Sequence, residues 1–431
     1  MVPFYLQSYA MEGKWWAGRV KNVVTSRTKT MADVAVDGDP NRVQKVVLLG
    51  EWTNCVLKKG DDVTYLLPTG HLGTAVFSAD SQTLLVINPE RMMSVTAITS
   101  AISCQRRGAL TALMPNAGVA ESYPQWRGLV AHSCVESVLS NRGYEIGNLD
   151  TIRAEAVRKW SSGVKSLTRV EWEAALKKDW PSLSESMMHL VTRYLTFLES
   201  VVAVSNNLRF DYRLRGEDCQ IMMRKDGICD VFRASCKLLD VKATQEVEAT
   251  IRSNKLGVKG RADILLKGEE TSRPLEMKTG NGKLFIPAHW AQVALYAAII
   301  TENETEGAIL KLESKTTAGL IVYLGDNPVV KEVKFNFSEI KELIIVRNKL
   351  CSEALPGCKE SKECGFCPQA LSCSLLHVGG ELGECSNILE AKMRRETVQN
   401  HLTFGDKEFA DRYKINITCL SVQRKGIISG G

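Results

Sequence analysis

Cys364, Cys367 and Cys373 stand in a C-x2-C-x5-C spacing within SKECGFCPQALSC. Thiolates this close together are ligands by type, because soft sulfur suits zinc and iron–sulfur clusters. A structural zinc or a cubane cluster takes four such ligands. Three are supplied here, so a fourth must come from another part of the chain. That requirement constrains the fold more than any local pattern does. Cys351, Cys358 and His377 are the nearby candidates. Cys134, on an apolar helical stretch, reads instead as a buried thiol.

The rest of the composition leaves room for such a centre. The chain has 431 residues, enough for two or three domains with a substantial core. Its N-terminus, MVPFYLQSYAMEGKWWAG, lacks the basic-then-apolar order of a signal peptide. For a chain expected to be unsecreted, 13 cysteines argue against a disulfide framework and for ligands and buried thiols. No apolar run approaches the ~18 residues of a membrane span. The net charge of +6 permits a nucleic-acid partner without requiring one, since an acidic site can offset a basic groove in the total.

Periodicity divides the chain into four parts. Residues 1–40 carry scattered charge and little pattern. Over 41–94, VQKVVLLGEW, DDVTYLLP, TAVFSAD and TLLVINP are short β-rich runs between Gly, Asp and Ser turns, as in a small barrel of the oligonucleotide-binding (OB-like) kind. From Val95 the spacing turns helical, with one helix expected over SVTAITSAISCQRRGALTALM and others through the stretch 150–205. Beyond it, QIMMRKDG, KLGVKGRADILL, RPLEMKTG and AGLIVYLG read as strands, AHWAQVALYAAII and SEIKELIIVRNKLCSEAL as helices. Residues 95–385 are therefore expected to form an α/β domain, a mixed sheet flanked by helices. Residues 386–431 form a polar tail, expected to be the start of a truncated module.

Chemistry concentrates in GRADILLKGEETSRPLEMKTG, residues 260–280. Asp263 heads one strand. Glu276 and Lys278 stand two apart on the next, and so share a face. If the two strands pair as a hairpin, both carboxylates reach one point and can hold Mg²⁺ or Mn²⁺ through hard oxygen ligands. Such an ion polarises a phosphoryl oxygen and lowers the pKa of bound water. The ammonium of Lys278 can orient the water or offset developing charge. Gly128 and His132 fall at a helix start in GLVAH, where the imidazole is a candidate further ligand. Gln292 and Tyr296 lie four apart on one helical face, placed to contact phosphate or brace the lysine. The plainer reading of each is a charged surface hairpin, a structural histidine and a boundary face.

Taken in order, G-x3-H, G-x-x-D, E-x-K and Q-x3-Y resemble the RecB-like branch of the PD-(D/E)-x-K nuclease superfamily. GVKGRADILL, PLEMKTG and QVALY are most similar to the nuclease domain of the eukaryotic DNA replication ATP-dependent helicase–nuclease family, over residues 90–376. Glu248, in QEVEATI, matches an acidic position that this family has upstream of its G-x-x-D strand. The resemblance implies a restriction-endonuclease-like fold and an endo- or exonuclease that cleaves single-stranded DNA or flaps in Okazaki-fragment processing and end resection. It implies His132, Asp263 and Glu276 as metal ligands, Lys278 as the residue that positions water, and Gln292 and Tyr296 as supports. A nuclear address follows, with the mitochondrion as the alternative. As partners the resemblance implies single-stranded or flap DNA, with a single-strand-binding protein and the replication machinery as candidates, and no membrane.

The same resemblance supplies the fourth cysteine. The family's nuclease core is clasped by a 4Fe–4S cluster whose first ligand lies in a C-x-R-R segment, and SCQRRGAL offers Cys104, about 260 residues before Cys364. Closing so large a loop restricts the unfolded chain, by roughly 4–5 kcal/mol for a crosslink spanning ~100 residues. Zinc is the rival occupant. Arg106 and Arg107 beside Cys104 are read either as phosphate contacts or as a solvated helix face. The family's helicase motor has no counterpart here, since neither Gly13-Lys14 nor Gly282-Lys283 fits a P-loop. ATP-driven translocation is not expected unless the sequence is a fragment or a shortened isoform. The alternatives for function are a catalytically silent DNA-binding scaffold and an iron–sulfur nuclease of the CRISPR-adaptation or recombination type.

Overall fold

The computed structural model describes residues 13–39, 41–114, 243–268, 272–280, 282, 286–304, 306, 316–323, 329–351, 355–357, 364, 367–370 and 372–373. Gly128, His132, Cys134, Cys358, His377, the stretch 150–205, QIMMRKDG and the tail from 386 lie outside them. The chain divides into two compact units, one of residues 1–99 and 121–352, the other of 100–120 and 353–431. Among the described residues no helix is long and apolar enough to cross a membrane.

The first unit contains two sheets. Six strands, β1 (Gly13–Thr25), β2 (Lys29–Val36), β3 (Val43–Leu49), β4 (Asp62–Pro68), β5 (Ala75–Phe77) and β6 (Leu84–Ile87), hydrogen-bond in the order β5-β3-β2-β1-β4-β6. The long β1 makes this possible. Its first half pairs with β4 and its second half with β2, with a bulge between Val20 and Asn22. At the overlap, a Cβ on Gly18 would stand 2.3 Å from the carbonyl oxygen of Ala35, so only glycine fits there. β5 runs parallel to β3 and β6 antiparallel to β4. Val20, Val34, Val46, Leu48, Val63, Tyr65, Phe77 and Leu84 fill the interior.

The sheet thus begins at Gly13, inside the segment 1–40 read above as patternless. The adjacent Trp15 and Trp16 and the bulge at Val20 interrupt the two-residue alternation that marks a strand in sequence.

The second sheet runs β12 (Val329–Phe335), β11 (Thr316–Tyr323), β10 (Arg273–Lys278), β9 (Val258–Lys267), β7 (Met93–Ser94), with β8 (Ala243–Ser253) on β9. β10 and β11 are parallel, and α3 (Pro287–Glu304) connects them. This helix is buried along most of its length, with Val293 against Ile321, Tyr323 and Val333, and Ile300 against Ala249 and Leu265. It gives the near-continuous apolar run expected of a helix packed deep against a sheet. The segment expected as one helix is two, α1 (Val95–Ser103) and α2 (Gln105–Leu113). They break at Cys104, whose backbone is extended at φ −153° and ψ 111°.

α4 (Phe337–Leu350) opens with a capping box, Asn336 and Glu339 each accepting the other's backbone N–H. Its last turn carries Arg347, with 0% exposure. The guanidinium donates to the carbonyls of Ile87, Asn88 (2.7 Å), Arg91 (3.0 Å) and Gly257 (3.2 Å) and to Asn348 Oδ1 (3.1 Å). A buried cation is tolerable only when its donors are satisfied, and here carbonyl dipoles satisfy them. Asn348 joins the same contact, donating to Leu85 O (2.8 Å) and accepting from Ile87 N (3.0 Å). Lys341 secures the turn between β5 and β6, donating to the carbonyls of Ser78, Ala79 and Ser81.

Arg347→Met should cost about 3–5 kcal/mol of stability in urea unfolding, because several buried carbonyls lose their donor together. Gly257→Ala should also destabilise, since φ there is +60° and the added Cβ would lie 2.3 Å from Arg347 Nη2. Variants as stable as the wild type would contradict this account of α4.

Candidate active site

The site is built on three strands and one helix. β9 and β10 form the hairpin, with Leu275 opposite Ile264. One further step of that register sets Glu276 opposite Asp263. There the backbone ladder stops, and Asp263 Oδ2 accepts the Met277 N–H at 2.6 Å. Asp263 is 5% exposed and Glu276 is 2%. The hairpin brings the two carboxylates together, one from each strand. Across β9's other edge, Val247 pairs with Ile264 and Ala249 with Ala262, which places Glu248 opposite Asp263 as well. Its backbone there is left-handed, φ +53°, rare for a side chain of this size, and its carboxylate meets Arg261 Nε at 2.6 Å. Among the described residues no three His, Cys, Asp or Glu side chains form a ready metal-binding group.

Lys278 shares the face of Glu276 and donates to its Oε1 at 2.6 Å. Gln292, on α3, binds both partners: its Nε2 donates to the same Glu276 oxygen (2.7 Å), and its Oε1 accepts from Lys278 Nζ (2.9 Å). Nε2 also donates to the Tyr296 hydroxyl (3.0 Å), which donates to Arg261 O (2.8 Å). Burial, and then the charge of Glu276, push the Tyr296 phenol well above its ordinary pKa. It therefore stays a donor.

Sequence reasoning missed one further pair. His289, one turn before Gln292 on α3, places Nδ1 3.1 Å from the hydroxyl of Tyr323, and Tyr323 stands beside Lys278 in the parallel register of β10 and β11. Burial, and then Lys278, hold the imidazole pKa down at about 4. The spacing His289, Gln292, Tyr296 is i, i+3, i+7, the one signal that could have shown it on the same helical face.

The second unit holds the cysteines. Cys104 is the N-cap of α2, and Cys364, Cys367 and Cys373 belong to the same unit. Gln369 Nε2 donates to Met114 O at 3.4 Å, tying the C-terminal segment to the end of α2. Burial raises the Cys367 thiol pKa. Cys104 and Cys364 add to that, while a backbone hydrogen bond from Gln369 and the charge of Arg107 oppose it; among the described residues no three of the cysteines gather as a metal-binding group. Arg106 is neither a solvated residue nor a free phosphate contact. It is 2% exposed, with Nε 3.2 Å from Cys373 Sγ and Nη1 2.8 Å from Pro356 O. Cys351, the nearby alternative ligand, belongs to the first unit and is buried, its thiol directed at Arg91 O (3.8 Å).

A Cβ on Gly260 would lie 2.5 Å from Tyr296 Cε1. Gly260→Ala should therefore displace the tyrosine and cost about 1–3 kcal/mol in chemical denaturation. Tyr296→Phe, which removes the donor to Arg261 O, should cost about 1–2 kcal/mol. Unchanged unfolding midpoints in both would show that the network does not support the strand.

The sequence model of the family described as DNA replication factor Dna2 matches residues 37–268, more than half of the chain. The DNA replication ATP-dependent helicase/nuclease dna2 of Schizosaccharomyces pombe is 24% identical over 349 residues, covering 77% of this chain and 21% of that protein. The Homo sapiens DNA replication ATP-dependent helicase/nuclease DNA2 is 22% identical over 391 residues, covering 83% and 34%. The Mus musculus protein of the same name is 23% identical over 368 residues, covering 77% and 31%. The chain thus spans between about a fifth and a third of the length of these relatives. It belongs to the DNA replication factor Dna2 family.

Proposed function

We propose that this chain is a divalent-metal-dependent nuclease that hydrolyses phosphodiesters of single-stranded DNA, including flaps, in replication and end processing. The observation that carries the proposal is the hydrogen-bonded cluster of buried Glu276 and part-buried Lys278, on the strand facing Asp263, with Gln292 of α3. Similarity to relatives named as helicase/nucleases of DNA replication supports the same chemistry. A nuclear site of action and a single-strand-binding protein as a partner are part of the same proposal.

Asp263 and Glu276 suit Mg²⁺ or Mn²⁺ by donor type: two carboxylates from adjacent strands, nearly free of bulk water. His132, outside the described residues, is the proposed further ligand. When bound, the ion supplies Lewis-acid polarisation of the phosphoryl oxygen and acidifies water. Lys278 is held by two of its neighbours and has a third N–H to orient the nucleophile or balance phosphoryl charge. Gln292 fixes that ammonium, Tyr296 fixes Gln292, and Glu248 is a reserve carboxylate in the same row. The strand order of the first sheet, with β3 parallel to β5, supports an OB-like barrel. The mixed second sheet supports a restriction-endonuclease-like core.

Cys104, Cys364, Cys367 and Cys373 are the proposed ligands of a 4Fe–4S cluster. They fit by donor type, by shared unit and by the buried guanidinium beside Cys373, which suits a thiolate ligand.

Asp263→Ala and Glu276→Gln should each lower Mg²⁺-dependent cleavage of an end-labelled flap by roughly 10³-fold while the fold persists. Cleavage equal to wild type, or independent of added metal, would defeat the enzyme reading and favour a silent DNA-binding scaffold. Anaerobically purified protein should contain iron and absorb near ~400 nm, and Cys104→Ser should lose both. A colourless zinc protein would replace the cluster assignment. Full iron retention in the variant would assign the fourth ligand elsewhere.

A further inference from the structure

We propose that His289 is a substrate-contacting residue, whose Nε2–H donates to a phosphate oxygen of the bound nucleic-acid strand. The inference deepens the nuclease reading and rests on it for the identity of the ligand. Its grounds are geometric. β10 and β11 are parallel and end together at Lys278 and Tyr323, which are register partners. His289 stands on the helix that follows β10, one turn before the glutamine that binds Lys278. Ligands of sheets containing parallel strands collect at the carboxyl ends of those strands, and His289 lies at this end.

The ring's chemistry fits the position. The Tyr323 hydroxyl lies 3.1 Å from Nδ1; with the hydroxyl as donor, the ring proton stands on Nε2, and this is the tautomer the proposal takes. Nε2 has no partner among the described residues, and the residue is partly exposed. The surroundings favour an anion. Lys278 is close enough to depress the imidazole's basicity, and Lys331 Nζ lies 5.4 Å from the centre of the Tyr323 ring. Among the described residues, the charges that bear on the ring or on its hydrogen-bond partner are those of Lys278 from β10 and Lys331 from β12. Gly282, φ +62°, allows the Tyr323 ring to lie close, since a Cβ there would be 2.8 Å from it. A neutral donor beside a lysine gives a phosphate a directed hydrogen bond without adding a second charge that would repel Lys278.

The test uses the full chain and a fluorescent oligothymidylate, with Ca²⁺ in place of Mg²⁺ so that binding is read without cleavage. His289→Ala should weaken binding about tenfold. His289→Gln, whose amide nitrogen falls near the Nε2 position, should recover to within about threefold of wild type. Tyr323→Phe, which frees the tautomer, should lose less than His289→Ala. The salt dependence of binding separates this contact from a structural role or a charge. Its slope should be unchanged in His289→Ala, because no counterion is released by a neutral donor, whereas Lys278→Met should flatten it by about one ion. Wild-type affinity in a folded His289→Ala variant, or equal losses in the Ala and Gln variants, would overturn the proposal. Because the readout is binding, a chain that binds in this way but never cuts would refute the hydrolysis and leave the contact standing.

Discussion

One side-chain amide organises the candidate site. Glu276 is buried and Lys278 partly so, and an ion pair withdrawn from water is stable only when its donors and acceptors find partners. Gln292 meets one on each side, donating to Oε1 of the carboxylate and accepting from the ammonium. Tyr296 fixes Gln292, and the Arg261 carbonyl fixes Tyr296. Arg261 belongs to the strand that carries Asp263. The network therefore runs from β10 through α3 to β9 and returns to the partner carboxylate. Neither strand can slide without breaking it.

The docking of the first sheet onto this assembly rests on a different solution to the same problem. Arg347 is buried without an acidic residue among its hydrogen-bond partners, and backbone carbonyls from residues 87–91 and from Gly257 solvate it instead. Gly257 immediately precedes β9. Met93, just past the arginine's other contacts, donates to Gly257 O and pairs with Val258. The start of the strand bearing Asp263 is thereby fixed to the end of the six-stranded sheet. A lysine could not reproduce this, because its compact ammonium lacks the planar fork that spans several carbonyls.

Much of the site was legible because its signals are short-range. A two-residue alternation put Glu276 and Lys278 on one face, the turn-rich GEETSR placed Asp263 across from them, and a four-residue spacing joined Gln292 to Tyr296. Other features depend on contacts remote in sequence. His289 acquires meaning only from Tyr323, 34 residues on, and Arg106 from Cys373. The left-handed backbone at Glu248 has no signature, since glycine is what usually announces such a residue. β1 escaped notice because a strand that serves two partners and bulges between them does not keep one alternation. The break at Cys104 was hidden because SAISCQRRGAL has continuous helical spacing, and no proline or glycine marks the residue that leaves the helix.

The central claim is that the carboxylates of Asp263 and Glu276 converge on one divalent ion beside Lys278. Anomalous diffraction from crystals soaked in Mn²⁺ tests it most directly. The account expects one peak between the two side chains, within bonding distance of both and close to the lysine. A peak bound to only one of them, or two ions at separate places with none between the strands, would contradict it.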